Sequence, residues 1–295
     1  MTHGILLLDK PQGLSSNAAL QRVRRAFGGV KAGHTGSLDP LATGMLPLCL
    51  GEATKVAGYL LEGDKQYRFR MRLGQRTATG DLEGEVVEES AVPVDVGAAL
   101  RAVLPQFTGT IDQIPPMYSA IQQGGQRLYR LARQGIEVER PARRLEIRSL
   151  VLESVEGDQA LLEVRCSKGT YVRTLAEDLA RAAGSCAHLT LLRRVSVAPF
   201  GEAPLVTLEA IQDAPGQVPV LPPDAALPHL PAVTLKEDET LRFLQGQAAG
   251  AAPGSPGALA RVYGGSGRFL GIARHDNAGN LQPVRIFNHL GATST

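Results

Sequence analysis

Between Lys65 and Leu73 apolar and charged residues alternate without a break. Tyr67, Phe69, Met71 and Leu73 take one side of an extended chain, and Arg68, Arg70 and Arg72 take the other. A period of two predicts a half-buried strand with its arginines outward. Ile5–Leu8 predicts a shorter buried strand, stopped by Lys10-Pro11-Gln12-Gly13. Ser15, Ser16 or Asn17 can then cap a helix that turns Leu20, Val23 and Phe27 inward and ends at Gly28-Gly29. A shorter helix is expected near Lys55–Leu61, and Glu85–Glu89 reads as the return strand of a hairpin. Helical spacing runs from Val96 through Ala99, Leu100, Val103 and Leu104 to Phe107. Gln126–Gln134 predicts a short helix on an inserted hairpin. Arg144–Ser154 and Ala160–Cys166 predict two strands around the turn Glu156-Gly157-Asp158. A helix follows with Val172, Leu175, Leu179 and Ala183 inward, and then a strand over Leu189–Val197.

Six prolines between Asp213 and Pro231 mark a boundary. Beyond it the pattern predicts a strand at Val233–Leu235, a helix at Glu237–Gln245, a flexible Ala/Gly/Pro stretch at Ala248–Gly257 and short strands over Leu259–Phe287. Short strands with glycine turns suit a small barrel. An unstructured tail is expected only in the last few residues.

Composition narrows the class. With 43% hydrophobic and 20% charged residues the chain reads as a globular protein, and 295 residues suffice for one large domain or two. No apolar run approaches a membrane span, and no basic segment with an apolar run opens the chain as a signal peptide does. Cys49, Cys166 and Cys186 are far apart and odd in number, which argues for free thiols in a reducing cytoplasm and against a cysteine-based zinc site. The net charge is only +2, but it is unevenly spread. Lys65–Arg76 holds five bases and no acids, Asp81–Asp95 six acids and no bases, and Arg127–Arg148 seven arginines against three glutamates. Such clusters face either a phosphate backbone or each other, and the sequence leaves both open.

One stretch, Gly33–Gly44 (GHTGSLDPLATG), has neither helical nor strand period. Glycines and Pro40 predict an irregular loop that presents Asp39 from a constrained position. Taken alone, such an aspartate most often makes an Asx-turn and nothing more. The surrounding run Gly33–Lys55 (GHTGSLDPLATGMLPLCLGEATK) resembles the signature of the TruB family of bacterial tRNA pseudouridine-55 synthases. So do the opening Gly4–Ser16 block, Lys65-Gln66-Tyr67, and Cys166–Thr174 (CSKGTYVRT). Four blocks in order over the first two-thirds of the chain form a specific signal.

The resemblance implies an α+β fold: a mixed, mostly antiparallel central sheet flanked by helices, with a small C-terminal β-barrel of the RNA-binding PUA type. The catalytic domain is expected over 1–228, with an inserted RNA-binding hairpin at about 118–145, and the PUA-like domain over 229–295. The implied reaction moves a uracil from an N1 to a C5 attachment. No atoms are gained or lost, so no cofactor and no metal are expected. The chain also has no Walker loop, no dinucleotide fingerprint and no paired metal-ligand motif. The expected partner is the T arm of tRNA, read without guide RNA and without a membrane, by a monomer.

Under the same resemblance Asp39 is the nucleophile, Tyr67 the active-site tyrosine and Arg173 the fixed cation beside Asp39. A carboxylate that must stay ionised in a dehydrated pocket needs such a cation. By periodicity alone Arg173 stands one position off the buried face and reads equally as a surface residue, and Tyr67 reads equally as a packed core side chain. His34, Tyr171 and Leu192 match positions that line the pocket or hold RNA. Lys10 is a phosphate contact or a buried partner. Arg127 and Arg130, with Tyr129 between them, suit phosphate contacts and stacking. A binding or RNA-folding protein that keeps the fold without catalysis is the alternative of a different class.

Overall fold

The computed structural model describes residues 2–251 and 253–287. In chain order, β1 (Gly4–Lys10) leads to α1 (Ser16–Ala26), whose first turn is closed by the Ser15 hydroxyl accepting from the Ala18 amide at 3.1 Å. β2 (Ala32–His34) and β3 (Thr43–Leu50) follow, then a 3-10 turn (Gly51–Val56), α2 (Ala57–Glu62) and β4 (Lys65–Leu73). Among the described residues β5 (Gln75–Thr77) and β6 (Val86–Glu89) form a separate two-stranded sheet. After α3 (Val96–Val103) and β7 (Gly109–Gln113), a small insert carries β8 (Gln122–Gln123), β9 (Gln126–Arg127) and α4 (Leu128–Arg133). β10 (Arg143–Glu156), β11 (Gln159–Cys166), α5 (Val172–Ala182), β12 (Ala187–Val197), β13 (Val206–Thr207) and α6 (Leu208–Asp213) complete the first part.

The central sheet runs β13-β1-β3-β12-β4-β11-β10-β7, with β2 also on β3. It is antiparallel throughout except at β1/β13 and β3/β12. β14 (Ala232–Thr234), α7 (Glu237–Leu244), β15 (Ala249–Ala251), β16 (Leu259–Tyr263), β17 (Phe269–His275) and β18 (Asn280–Ile286) build a second sheet, ordered β14-β16-β17-β18-β15. The α+β architecture inferred from the sequence is therefore present. No described helix is long and apolar enough to cross a membrane.

β1 serves two layers because successive side chains point to opposite faces. Leu6 and Leu8 join the main core with Ala19, Leu20 and Val23 of α1. Ile5 and Leu7, with Cys49 and Val56, join Phe269, Ile272 and Phe287 of the C-terminal part in a second cluster. Polar contacts reinforce that seam: the Lys55 ammonium donates to the Ile286 carbonyl at 2.6 Å, and the Tyr263 hydroxyl to Asp224 at 2.7 Å.

Three features of the fold differ from what the sequence predicts. Periodicity predicts no strand where β3 lies, although β3 is inside the central sheet. Its residues Met45–Leu50 are apolar on both faces, so no alternation marks them, and Pro47 argues against a central strand. Pro47 falls between the pairing to β12 at Thr43-Gly44 and the pairing to β2 at Leu48–Leu50, where the missing amide breaks no ladder. Part of the expected flexible stretch is β15, which pairs with β18. The helix expected to reach Phe107 ends at Val103, and Pro105 opens a 3-10 turn there. Of the two readings the sequence left open for the basic run, ion pairing describes Arg68 with Glu153 at 2.5 Å, Arg72 with Asp158 at 2.8 Å and, just beyond β4, Arg76 with Glu88 at 2.6 Å. The expected unstructured tail lies outside the described residues.

Candidate active site

The Asp39 loop is tied down at almost every residue. It spans the antiparallel strands β2 and β3, and Leu38 and Leu41 plug into the core on either side of Asp39. The Ser16 hydroxyl accepts from the Leu38 amide at 2.7 Å and donates to the Leu38 carbonyl at 3.0 Å. The Pro40 carbonyl accepts from the Gly13 amide at 2.8 Å and from the Lys10 ammonium at 3.4 Å. The Arg194 guanidinium donates to the Gly36 carbonyl at 3.0 Å and the Met45 carbonyl at 2.7 Å, clamping both ends of the loop. Gly44 is required where β3 meets β12: its φ is +97°, and a Cβ would stand 2.3 Å from the Arg194 carbonyl. A fixed backbone behind a single carboxyl group is what a positioned nucleophile needs.

Arg173 reaches that carboxyl group from the first turn of α5. Its Nε lies 2.9 Å from Asp39 Oδ2, with the Arg173 side chain 5% exposed and that of Asp39 40% exposed. The rest of the guanidinium is held by backbone: Nη1 donates to the Thr79 carbonyl at 2.6 Å, Nη2 to the Tyr118 carbonyl at 2.7 Å. Arg173 is thus buried, against the surface reading that periodicity allowed. Asp81, which the sequence did not single out, is a second and buried carboxylate 4.0 Å from Arg173 Nε. It accepts from the Thr79 hydroxyl at 2.5 Å and the Glu83 amide at 3.0 Å. One guanidinium therefore faces two carboxylates, one sealed and one open to solvent.

Asp39 and Arg173 line a cleft of about 550 Å³ together with Tyr67, Tyr171 and Leu192. Burial pushes the Tyr67 hydroxyl above its ordinary range, with the neighbouring Arg194 pulling it back, so the phenol is protonated at neutral pH. Burial also raises Tyr171. The Tyr171 backbone exchanges hydrogen bonds with the Gln113 amide group, 2.8 Å and 3.1 Å, which fixes the start of α5. Lys65 and Arg194 also line the cleft and are buried. Both sit on inward positions of strands, Lys65 with Tyr67 on β4 and Arg194 with Leu192 on β12, and a charge on an apolar face was their available signal.

Of the remaining expected site residues, Lys10 and His34 lie outside the cleft lining, and Arg127 and Arg130 lie on the insert where the sequence placed them. Lys10 is fully buried, and its ammonium donates to the carbonyls of Pro11 at 2.9 Å and Leu14 at 2.6 Å as well as to Pro40. Burial lowers its pKa to about 8, and a phosphate has no access to it, so the buried-partner alternative holds. His34 lies on β2 outside the cleft lining, half-buried, with Nδ1 sealed without a partner. Arg127 and Arg130 are exposed on the insert, away from the cleft, and the insert is anchored by buried Leu128.

Burial, reinforced by Arg194, lowers the pKa of His34 below its ordinary 6.5. The unfolded chain then binds the extra proton more readily than the folded one, so stability falls as pH drops through 6.5. Between pH 7 and 5 the wild type is expected to lose more stability in urea titrations than His34→Gln. Equal losses would show that the imidazole contributes nothing to the acid limb.

Comparisons with known proteins agree along the chain. The description "TruB family pseudouridylate synthase (N terminal domain)" matches residues 24–172, "tRNA pseudouridylate synthase B C-terminal domain" 173–218, and "Pseudouridine synthase II TruB, C-terminal" 231–287. The tRNA pseudouridine synthase B of Aromatoleum aromaticum is 50% identical over 286 residues, covering 96% of this chain and 92% of its own. That of Vibrio cholerae is 44% identical over 298 residues, covering 96% and 95%. Among solved structures, a Cbf5-Nop10-Gar1 complex shares the fold with a TM-score of 0.72 at 24% identity, over 97% of this chain and 84% of that one.

Proposed function

Because the chain belongs to the TruB family of pseudouridine synthases, isomerases acting on tRNA, we propose that it converts the uridine at position 55 in the T loop to pseudouridine, with Asp39 as nucleophile. The observation that carries this reading is the 2.9 Å pair between Asp39 and a buried, backbone-held Arg173 on the wall of a nucleoside-sized cleft. The N1–C1′ bond breaks, the base turns, C5 joins C1′, and a proton leaves C5 while another arrives at N1. A single exposed carboxylate suits this better than hydrolysis, which would want a second one flanking the bond.

Each side chain then has a task. Arg173 holds and aims the Asp39 carboxylate, and the buried Asp81 lies 4.0 Å from the same Nε. Tyr67 offers its ring as a platform for the uracil, with Leu192 and Tyr171 closing the walls. A stacked uridine hides its reactive atoms, so the nucleotide must be flipped out, at a cost of a few kcal/mol repaid in the cleft. Residues 1–228 form the catalytic part of this reading. Arg127 and Arg130 on the insert and the part from 229 onward grip the tRNA, chiefly by shape. The enzyme works as a monomer on free tRNA, without a guide RNA.

The test is release of tritium from tRNA carrying 5-tritiated uridine. Wild-type protein should release one equivalent, and a transcript with cytidine at position 55 should release none. Tight binding without release would make the protein an RNA binder, and undiminished release from the cytidine transcript would place the reaction at another uridine.

A further inference from the structure

The cleft carries far more positive charge than its single nucleophile requires. Among the described residues its lining has one carboxylate, Asp39, against Lys65, Arg143, Arg144, Lys168, Arg173 and Arg194. Arg143, Arg144 and Lys168 are exposed at the rim, Arg144 paired with Asp112 at 4.0 Å and Lys168 with Glu62, both acids outside the lining. Two of the three buried cations are accounted for: Arg173 serves Asp39, and Arg194 clamps the loop. Lys65 closes the last turn of α2, its ammonium donating to the Leu61 carbonyl at 2.7 Å and the Gly63 carbonyl at 2.5 Å, a task that uses two of its three donors. An ammonium has three N–H donors, so one is left over. Burial lowers its pKa to about 8, with Arg194 adding to the effect and Cys166, Glu62 and Asp64 opposing it. A cation kept at that cost inside a reaction cleft is a candidate for chemistry.

Position says which chemistry. Lys65 and Tyr67 are two residues apart on β4, and both point inward. Side chains two apart on a strand are roughly 6.6 Å from each other. A uracil stacked on the Tyr67 ring therefore has an edge within reach of the ammonium. The Asp39 carboxylate attacks C1′ as the N1–C1′ bond breaks, and the bonding pair leaves with the base, giving a uracil anion delocalised over N1, C5, O2 and O4 and an ester between C1′ and Asp39. After rotation C5 of the anion attacks C1′, forming the C5–C1′ bond and releasing the carboxylate. The C5 proton then leaves and N1 is protonated, which balances the step. Charge on the base is greatest between the two bonds, so a fixed cation at its edge acts on the barrier more than on binding.

We propose that Lys65 is a catalytic residue of this reaction, donating its free N–H to a carbonyl oxygen of the departing uracil and stabilising the anion. The inference rests on the pseudouridine synthase reading above. Its test compares single-turnover rates on two tRNA transcripts, one with uridine and one with 5-fluorouridine at the reacting position, followed as loss of the parent nucleoside in nuclease digests. Fluorine at C5 stabilises the anion by itself and reduces the need for a cation. Lys65→Met should slow the uridine substrate by about 100-fold, as loss of one donor to a developing charge does elsewhere, and the fluorinated one by at least tenfold less. Lys65→Gln keeps a neutral donor for Leu61 and Gly63, and it should show the same contrast if the methionine variant folds poorly. Equal slowing of both substrates would assign Lys65 a packing role, and undiminished rates would remove it from the reaction. If wild-type protein consumed neither substrate, the functional reading would fail before the role of Lys65 arose.

Discussion

Asp39→Asn is expected to leave tRNA binding and folding nearly intact and to lower turnover by at least ~10⁴-fold, the scale on which loss of a covalent nucleophile is felt. Asparagine is isosteric and can still accept from Arg173 Nε, and the loop around it is held by Ser16, Lys10, Gly13 and Arg194 without help from the Asp39 side chain. Tritium release under single-turnover conditions, alongside a filter-binding titration, separates the two effects. Near-normal release would end the assignment of Asp39 as nucleophile, and loss of binding in parallel would mean that the carboxylate serves recognition.

Arg173→Ala should be damaging twice over. Catalytically it leaves Asp39 without its fixed cation, and turnover should fall by roughly 10³-fold, the upper range for removing a preorganised electrostatic partner. Structurally it removes the cation 4.0 Å from buried Asp81, which keeps only its hydrogen bonds from Thr79 and Glu83, and leaves the carbonyls of Thr79 and Tyr118 without their donor. Breaking a buried ion pair from one side costs about 3–5 kcal/mol. A urea titration should therefore show a marked loss of stability that Asp39→Asn does not share. Arg173→Lys, which keeps the charge but cannot reach three partners from one planar group, should recover part of the stability and little of the rate. An Arg173→Ala protein as stable as wild type would show that Asp81 does not depend on this guanidinium.

The contrast between these two residues also shows what the sequence could and could not reveal. The loop that presents Asp39 was legible because glycine and proline state their backbone preferences locally. β4 was legible because one face is core and the other solvent. β3 was not, since a strand buried on both faces has no alternation to read. The burial of Arg173 was invisible for another reason: periodicity counts apolar residues, whereas a guanidinium is buried by carbonyls that arrive from Thr79 and Tyr118, distant in sequence. Asp81 lies in a polar turn where an acid carries no signal. Lys65 and Arg194 did leave a mark, a charge in phase with the apolar face, but a lone strand cannot tell whether such a position is sealed or merely at an edge.

The second cluster, in which Ile5, Leu7 and Cys49 meet Phe269, Ile272 and Phe287, has a mechanical result. The strands whose one side carries the reacting loop lend their other side to the C-terminal sheet as a foundation. The Asp39 loop and the outlying sheet are thereby mounted on the same two strands, β1 and β3, so that under the proposed function a tRNA reaching from one to the other meets two footholds joined through shared side chains.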